Sequence, residues 1–546
     1  MRKVLYYLKK SLNTLVLAVF LSTLVLIPDE LYKLVNTSYH PDFDKQVFLL
    51  LVLSFGLALS TNGRRAPVAL AGIFFAISGS QILHFEYFGT LISPNEITLL
   101  MTEAGEIFLS LTTMWLEISL IVVGLLALLF LVIKINSHTK SKRLSLPLAS
   151  IVLMILYGYI LPSRAYDDPS VQNYYPSPSN YSIANGVKAL SWVFANDVIR
   201  GLRNEKRTNP HHQKRQPLEV IDLMNDKPNF NLIVVMGESL NPHRMSAFGA
   251  IRKTTPFLDA RIDKGEIYKR IVYSGGMSTK VSIPTFFNLK KYPEDVSALT
   301  KGHSNLLKLA KKKGMEAWWL STQSAGLATY SAQVDRRSFV SKEDIVIEDE
   351  KDTDLALLEL LKKVNFEKPS FVVLHERGSH SPYERYHPDE YDVFPEDGVG
   401  TDKKRVNSYD NSIVFSDYLH EEIIKYLEAH SSLPTIVLFT GDHGELVGEN
   451  GLWGHSVLIP EGAEVPYIVW SSESAKHLAR QVIELPYPTH FEVGRAVLAL
   501  LGYRISDPQN VKGEYYVNGK NLAGNAPFVK FRFNDKSSIE SWVVLK

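Results

Sequence analysis

Several residues in this sequence have the types and spacing that metal-assisted chemistry requires. In Gly441-Asp442-His443-Gly444-Glu445, a carboxylate and an imidazole stand side by side just after an apolar run, residues 435–439. At the end of a strand both can turn toward one cation, offering a hard oxygen beside a ring nitrogen, a mixture that suits zinc. The same residues also suit a turn in which the aspartate caps the next helix and the glycines permit the bend. Glu238, after Val234-Val235-Met236-Gly237, is similarly a candidate ligand, a helix cap or a surface carboxylate. His380 and His455 lie in loops rich in glycine and serine, where a lone histidine is ordinarily a surface residue. The stretch from Ser274 to Pro284 is dense in hydroxyls, Thr279 among them. Such a turn opening into a helix can cradle a phosphate on its backbone N–H groups, and a hydroxyl becomes a nucleophile only with a base or a metal beside it. A Ser/Thr-rich loop that merely caps a helix is the plainer alternative.

These residues need a scaffold, and the C-terminal part of the chain supplies one. Apolar runs at 232–236, 317–320, 371–374, 435–439 and 467–470 predict strands. Between them, residues 305–313 predict a helix stopped by Gly314, and Leu419, Ile423, Ile424 and Leu427 mark the apolar face of another. Strands alternating with amphipathic helices predict an α/β domain, a largely parallel sheet covered by helices on both faces. Ligands of such sheets bind beyond the carboxyl ends of the strands. Glu238 follows the first run, His375 and His380 the third, and Asp442 and His443 the fourth, so the candidates converge on one edge.

The N-terminal part is of another kind. A bilayer is crossed by roughly 17–25 apolar residues, and residues 11–27, 46–61, 66–89, 111–135 and 144–162 predict five spans, the second of them short. Arg2, Lys3, Lys9 and Lys10, then Arg64 and Arg65, then Lys134, Lys140, Lys142 and Arg143 fall on one side, which basic loop residues mark as cytoplasmic. Everything after Pro162 is therefore expected outside the cytoplasm. The expected domains are a five-helix transmembrane domain at 1–163, a linker at 164–215 and the α/β domain at 216–546. In the linker, Ile183, Val187, Leu190, Phe194 and Val198 recur at helical spacing, predicting a helix that lies on the membrane or docks on the soluble domain. Lys and Arg number 59 against 58 Asp and Glu, so no global charge calls for nucleic acid. Cysteine is absent, which removes thiolate ligands, cysteine nucleophiles and disulfides.

In order, the motifs are Gly237-Glu238-Ser239, Arg244-Met-Ser-Ala-Phe-Gly249 with Thr254-Thr255-Pro256, Ser278-Thr279-Lys-Val-Ser-Ile-Pro284, His375-Glu-Arg-Gly-Ser-His380, Gly441-Asp442-His443-Gly444-Glu445 and Gly448-Glu-Asn-Gly451. Together with the five spans, this set resembles the membrane phosphoethanolamine transferases of bacterial envelopes, within the alkaline phosphatase and sulfatase superfamily. The resemblance implies that Thr279 is the nucleophile, sharing a zinc ion with Glu238, Asp442 and His443. It implies that His380, His455 and, in the same motif, His375 lie near the transferred phosphate or a second metal, and that Glu106 helps to form the lipid headgroup site. The implied reaction takes phosphoethanolamine from phosphatidylethanolamine, through a phospho-threonine intermediate, to an envelope glycolipid or glycan such as lipid A or the lipopolysaccharide core. The implied location is the bacterial inner membrane, with the catalytic domain in the periplasm.

Two departures bear on the acceptor and headgroup: the chain lacks the disulfides of the lipid A-modifying members, and Thr98 stands where many members have asparagine. A phosphoglycerol transferase or related phosphodiester hydrolase would share metal, threonine and topology. Sulfatase activity would need an arginine that Ser282-Ile-Pro284-Thr-Phe286 lacks. A transporter or sensor would need polar residues along the spans, which carry few.

Overall fold

The protein's structure, a computed structural model, describes residues 2–36, 39, 41–60, 65–88, 91–92, 97, 115–136, 181–193, 211, 213, 215–223, 227–323, 325–328, 331–334, 336–340, 350–519, 522 and 527–545. The chain divides into two compact units: Met1–Lys206 with Asn450–Trp453, and Arg207–Glu449 with Gly454–Lys546.

The first unit is helical: α1 (Arg2–Val35), α2 (Lys45–Ser60), α3 (Arg65–Phe88), α4 (Trp115–Asn136) and α5 (Ser182–Val193). Two segments, Leu12–Val35 in α1 and Arg65–Glu86 in α3, are long and apolar enough to cross a membrane; Lys45–Ser60 and Ile118–Lys134 are apolar but shorter. The fifth expected span, 144–162, lies outside the described residues, as do Thr98, Glu106, Phe194 and Val198. Helix α5 buries Ile183 and Ala184 in one apolar cluster with residues of α1, α2 and α3. Gly186 permits the close approach, since a Cβ there would stand 2.2 Å from Ile77 Cγ2. The start of α5 is fixed by the buried Asp29 of α1, whose carboxylate accepts the Ser182 N–H at 2.7 Å and its hydroxyl at 2.8 Å. Of the apolar face expected for the linker helix, Ile183 is buried and Val187 packs against this cluster, whereas Leu190 is exposed.

The second unit is built on a seven-stranded mixed sheet. Its strands are β2 (Asn231–Gly237), β3 (Ile267–Tyr273), β4 (Glu316–Ser321), β5 (Arg336–Phe339), β6 (Ser370–His375), β7 (Thr435–Gly441) and β8 (Glu464–Ser471). A separate β1 (Glu219–Asp222) pairs with β9 (Tyr503–Ser506). The order is β3-β8-β7-β2-β6-β4-β5. Neighbours from β7 to β5 are parallel, and β8 and β3 add antiparallel strands at one edge. All seven residues of β2 and of β7 are buried, the continuous apolar run expected of strands covered on both faces. Each large side chain so buried contributes roughly 1.5–3 kcal/mol.

Helices α6 (Pro256–Asp263), α7 (Thr279–Phe287), α8 (Leu306–Lys312), α9 (Ala356–Leu361), α10 (Thr401–His430), α11 (Lys476–Ile483) and α12 (His490–Leu500) complete the layers. Asn305 caps α8 by accepting the Lys308 N–H, and Gly314 follows with φ +88°. Leu419, Ile423, Ile424 and Leu427 of α10 are all buried. The sheet formed by β10 (Glu514–Val517), β11 (Phe528–Phe533) and β12 (Ile539–Leu545) is antiparallel, and no strand was expected there from the sequence.

Candidate metal centre

Three loops of the second unit meet where the central strands end. Glu238 is the first residue after β2, and Asp442 and His443 are the first two after β7; β2 and β7 are parallel neighbours with Gly237 opposite Gly441. Thr279 opens α7 after the extended Ser278. All four side chains are at least nine-tenths buried.

The donor atoms converge. Thr279 Oγ1 lies 3.0 and 3.3 Å from the two carboxylate oxygens of Glu238 and 3.3 Å from His443 Nε2. His443 Nε2 is also 3.3 Å from Glu238 Oε1 and from Asp442 Oδ2. Backbone geometry aims these groups. His443 Nδ1 donates to the Gly444 carbonyl at 3.1 Å, which turns Nε2 into the cluster. Asp442 Oδ1 accepts the N–H groups of Ser239 and His443 at 2.9 and 2.8 Å. Ser239 adopts the left-handed region at φ 56°, a conformation sparsely used by non-glycine residues, and its hydroxyl donates to Glu238 Oε1 at 2.7 Å. Gly444 has no room for a side chain: a Cβ would lie 2.7 Å from the Glu461 carbonyl oxygen and 2.8 Å from that of Glu464.

The loop that carries Thr279 is held from the far end of the sequence. The Gly275 carbonyl accepts both the backbone N–H and the side-chain amide of Asn518, each at 2.9 Å. Asn518 in turn accepts Lys290 Nζ at 2.8 Å.

The electrostatics call for a cation. Burial opposes the charge on Glu238, but the hydrogen bond and charge of His443, with the charge of His380, outweigh it and hold its pKa below the carboxylate range. Burial and the charge of Glu238 push Asp442 upward. Burial opposes the His443 imidazolium, yet Asp442 and Glu238 raise its pKa to about 10. His443 is thus the basic group set against the two buried carboxylates. Asp442 Oδ2 faces His443 Nε2 at 3.3 Å but accepts no hydrogen bond, which is unusual for a buried carboxylate oxygen. Ligand atoms of Glu238, Asp442 and His443 lie within 4.8 Å of one another. With Thr279 Oγ1, three oxygens and one imidazole nitrogen fit a four-coordinate zinc ion.

The other expected residues are placed differently. The His455 ring centroid is 4.5 Å from that of His443, and its Nδ1 lies 3.2 Å from Glu445 Oε2. Glu445 Oε1 accepts the Tyr383 hydroxyl at 2.6 Å. His443, Glu445 and His455 form a second group of possible ligands that overlaps the first. His380 Nδ1 bonds the Ser381 carbonyl at 2.6 Å. His375 is turned to Ser321 Oγ, 3.2 Å from Nδ1, and burial lowers its pKa to about 4. It is a neutral interior ring beside Trp319, outside the groups that could hold a metal among the described residues. Glu106 lies outside the described residues.

Sequence reasoning missed Ser239, Gln323, Tyr383 and Glu445. Gln323 Nε2 donates to Glu238 Oε2 at 2.8 Å. It lies two residues beyond β4, so the rule that ligands gather past strand ends, applied to that strand too, would have found it.

The sulfatase family model matches residues 230–503, half of the chain, from the first residue before β2 to the start of β9. The chain belongs to the sulfatase family. Within the family it is similar to phosphoethanolamine transferases. The Kdo(2)-lipid A phosphoethanolamine 7''-transferase of Salmonella typhimurium is 24% identical over 499 residues, covering 82% of this chain and 84% of that protein. Phosphoethanolamine transferase EptA of Escherichia coli is 27% identical over 313 residues, 54% of each chain. The integral membrane lipooligosaccharide phosphoethanolamine transferase A of Neisseria meningitidis shares the fold, with a TM-score of 0.59 at 22% identity over 89% of this chain and 95% of that one.

Proposed function

We propose that this protein transfers phosphoethanolamine from phosphatidylethanolamine to lipid A or an adjoining envelope glycan. Residues 1–163 would form five membrane spans, 164–215 a linker and 216–546 a periplasmic catalytic domain. The names of the relatives support the group transferred and the acceptor class. The observation that carries the chemistry is the Thr279 hydroxyl, buried 3.0 Å from Glu238 Oε2 and 3.3 Å from His443 Nε2.

Glu238, Asp442, His443 and Thr279 would hold zinc, a Lewis acid that lowers the pKa of a hydroxyl and offsets phosphoryl charge. The side chains then divide the work. Thr279 Oγ1 attacks the phosphorus of the donor phosphodiester; an Oγ1–P bond forms and the bond to diacylglycerol breaks. Glu238 Oε2 accepts the hydrogen bond of that hydroxyl and orients it toward the phosphorus, and the proton passes on to solvent. His455, oriented through Nδ1 by Glu445, is the candidate donor of a proton to the departing alkoxide, and His380 adds positive charge beside the cluster. A hydroxyl or phosphate oxygen of the acceptor then attacks the phosphorus and the Oγ1–P bond to Thr279 breaks; a hydroxyl acceptor gives its proton to His455, which restores the proton lost in the first step. Glu106 would help to form the site for the donor headgroup.

Incubation of the purified full chain with phosphatidylethanolamine and no acceptor tests this reading. One phosphoethanolamine should appear on the Thr279 peptide by mass spectrometry, and folded Thr279→Ala should give neither adduct nor diacylglycerol. An adduct on Ser278 or Ser282 would refute the choice of nucleophile. Diacylglycerol released from phosphatidylglycerol instead would refute the donor.

A further inference from the structure

Gln323 is 3% exposed, and its side-chain nitrogen lies 2.8 Å from Glu238 Oε2 and 3.0 Å from the Glu376 carbonyl oxygen. Both partners can only accept hydrogen bonds, so the end of the amide that faces them is the NH2, with both hydrogens in use. The Gln323 backbone N–H donates to Ser321 Oγ at 3.0 Å. Beside it, the Thr322 hydroxyl donates to Asp354, whose carboxylate also accepts the N–H groups of Arg377 and Gly378. The loops after β4 and β6 are therefore tied together, and Gln323 ties both to Glu238.

We propose that Gln323 is a positioning residue that fixes the Glu238 carboxylate for the metal and for the Thr279 hydroxyl, an inference that rests on reading Glu238 as a zinc ligand. Besides the Thr279 hydroxyl, which reaches both oxygens, each oxygen of Glu238 has a neutral donor from the surrounding loops: Ser239 Oγ at Oε1 and Gln323 Nε2 at Oε2. A donor on each oxygen sets the rotation of the carboxylate plane and leaves further lone pairs free for the cluster. Neutrality matters as much as reach. An arginine or lysine at position 323 would bond the same oxygen but repel a divalent cation, whereas an amide adds no net charge. Outer partners of this kind typically account for 10–100-fold in metal affinity or activity.

The test uses the full chain in detergent, with zinc affinity read by competition against a chromophoric chelator and transfer measured from phosphatidylethanolamine. Gln323→Met keeps length and volume but donates nothing. It should raise the zinc dissociation constant about 10–100-fold and, at saturating zinc, lower kcat with the KM for the donor unchanged. Asn231→Ala is the control for general destabilisation. Asn231 opens β2 at the end opposite Glu238, and its buried amide bonds the Phe366 carbonyl; that variant should melt earlier yet bind zinc as the wild type does. Wild-type zinc affinity and kcat in folded Gln323→Met would overturn the role of Gln323 and leave the metal reading standing. An equal loss of zinc affinity in Asn231→Ala would also overturn it, by making the loss a matter of stability. Wild-type zinc affinity in Glu238→Ala would overturn the metal reading itself, and this inference with it.

Discussion

Gly444→Ala tests whether backbone crowding sets the position of His443. The added Cβ would sit 2.7 and 2.8 Å from the carbonyl oxygens of Glu461 and Glu464 and 3.0 Å from the Gly462 carbonyl carbon. Neither oxygen belongs to a side chain that can swing away. The two segments are also joined by the Gly444 N–H donating to Gly462 O at 3.1 Å. A tolerable carbon–oxygen contact requires one of them to retreat by about half an ångström, and overpacking of this size typically costs about 1–3 kcal/mol. The His443 ring moves with it, because Nδ1 is bonded to the Gly444 carbonyl. Misplacing catalytic groups by about 1 Å can cost about 100-fold, so half that shift should cost about tenfold in kcat/KM. Melting temperature, zinc affinity and transfer rate of the solubilised full chain should fall together. Gly56→Ala in α2 is the reference: its Cβ would meet Ala18 at an ordinary 4.0 Å, so zinc affinity and transfer rate should stay at wild type and the melting temperature should hold or rise slightly, since alanine favours a helix interior. A Gly444→Ala protein with wild-type melting temperature and zinc affinity would refute the steric reasoning.

Lys290 is buried, and burial lowers its pKa to about 7. The folded state gives up that proton at lower pH than the unfolded chain does, so stability should rise with pH from about 7 to about 10, by up to about 1.4 kcal/mol per pH unit. Lys290→Met should flatten that rise in urea midpoints, and parallel profiles for the two proteins would count against it. Asp410, fully buried, accepts Arg244 at 2.8 and 2.5 Å and Arg252 at 2.7 Å. Asp410→Ala removes the carboxylate shared by two partly exposed arginines and should cost about 1–3 kcal/mol, whereas Arg252→Ala leaves the two-point Arg244 pair intact and should cost less. Equal shifts of the denaturation midpoint would refute that ranking.

How much of this was legible in the sequence depended on where each element lies in the sheet. The central strands β2, β6 and β7 are buried along their length and announced themselves as unbroken apolar runs. The two edges did not. β3 carries Lys269 and Arg270 and β5 carries Arg336 and Arg337, since an edge strand meets water and charge there discourages pairing with another chain. Their patterns consequently look like loop. The same logic divides the site. Glu238, Asp442 and His443 were legible because charged or ligating residues directly after apolar strands are conspicuous. Gln323 carries no charge and Ser239 is a small polar residue in a turn, so composition marked neither. His375 shared its motif with His380, and only the direction of its ring, toward Ser321 and Trp319, separates the two.

The clamp on Gly275 has a consequence for biogenesis. A ribosome releases Thr279 long before Asn518, and domains acquire structure as the chain emerges from its N-terminal side. The strands that carry Glu238, Asp442 and His443 can pair while the threonine loop still lacks both hydrogen bonds that hold Gly275. Competence is therefore conferred late, when the segment around residue 518 docks. An abortive chain that stops between β9 and β10 would own every reactive side chain named here and still lack the brace that sets their spacing.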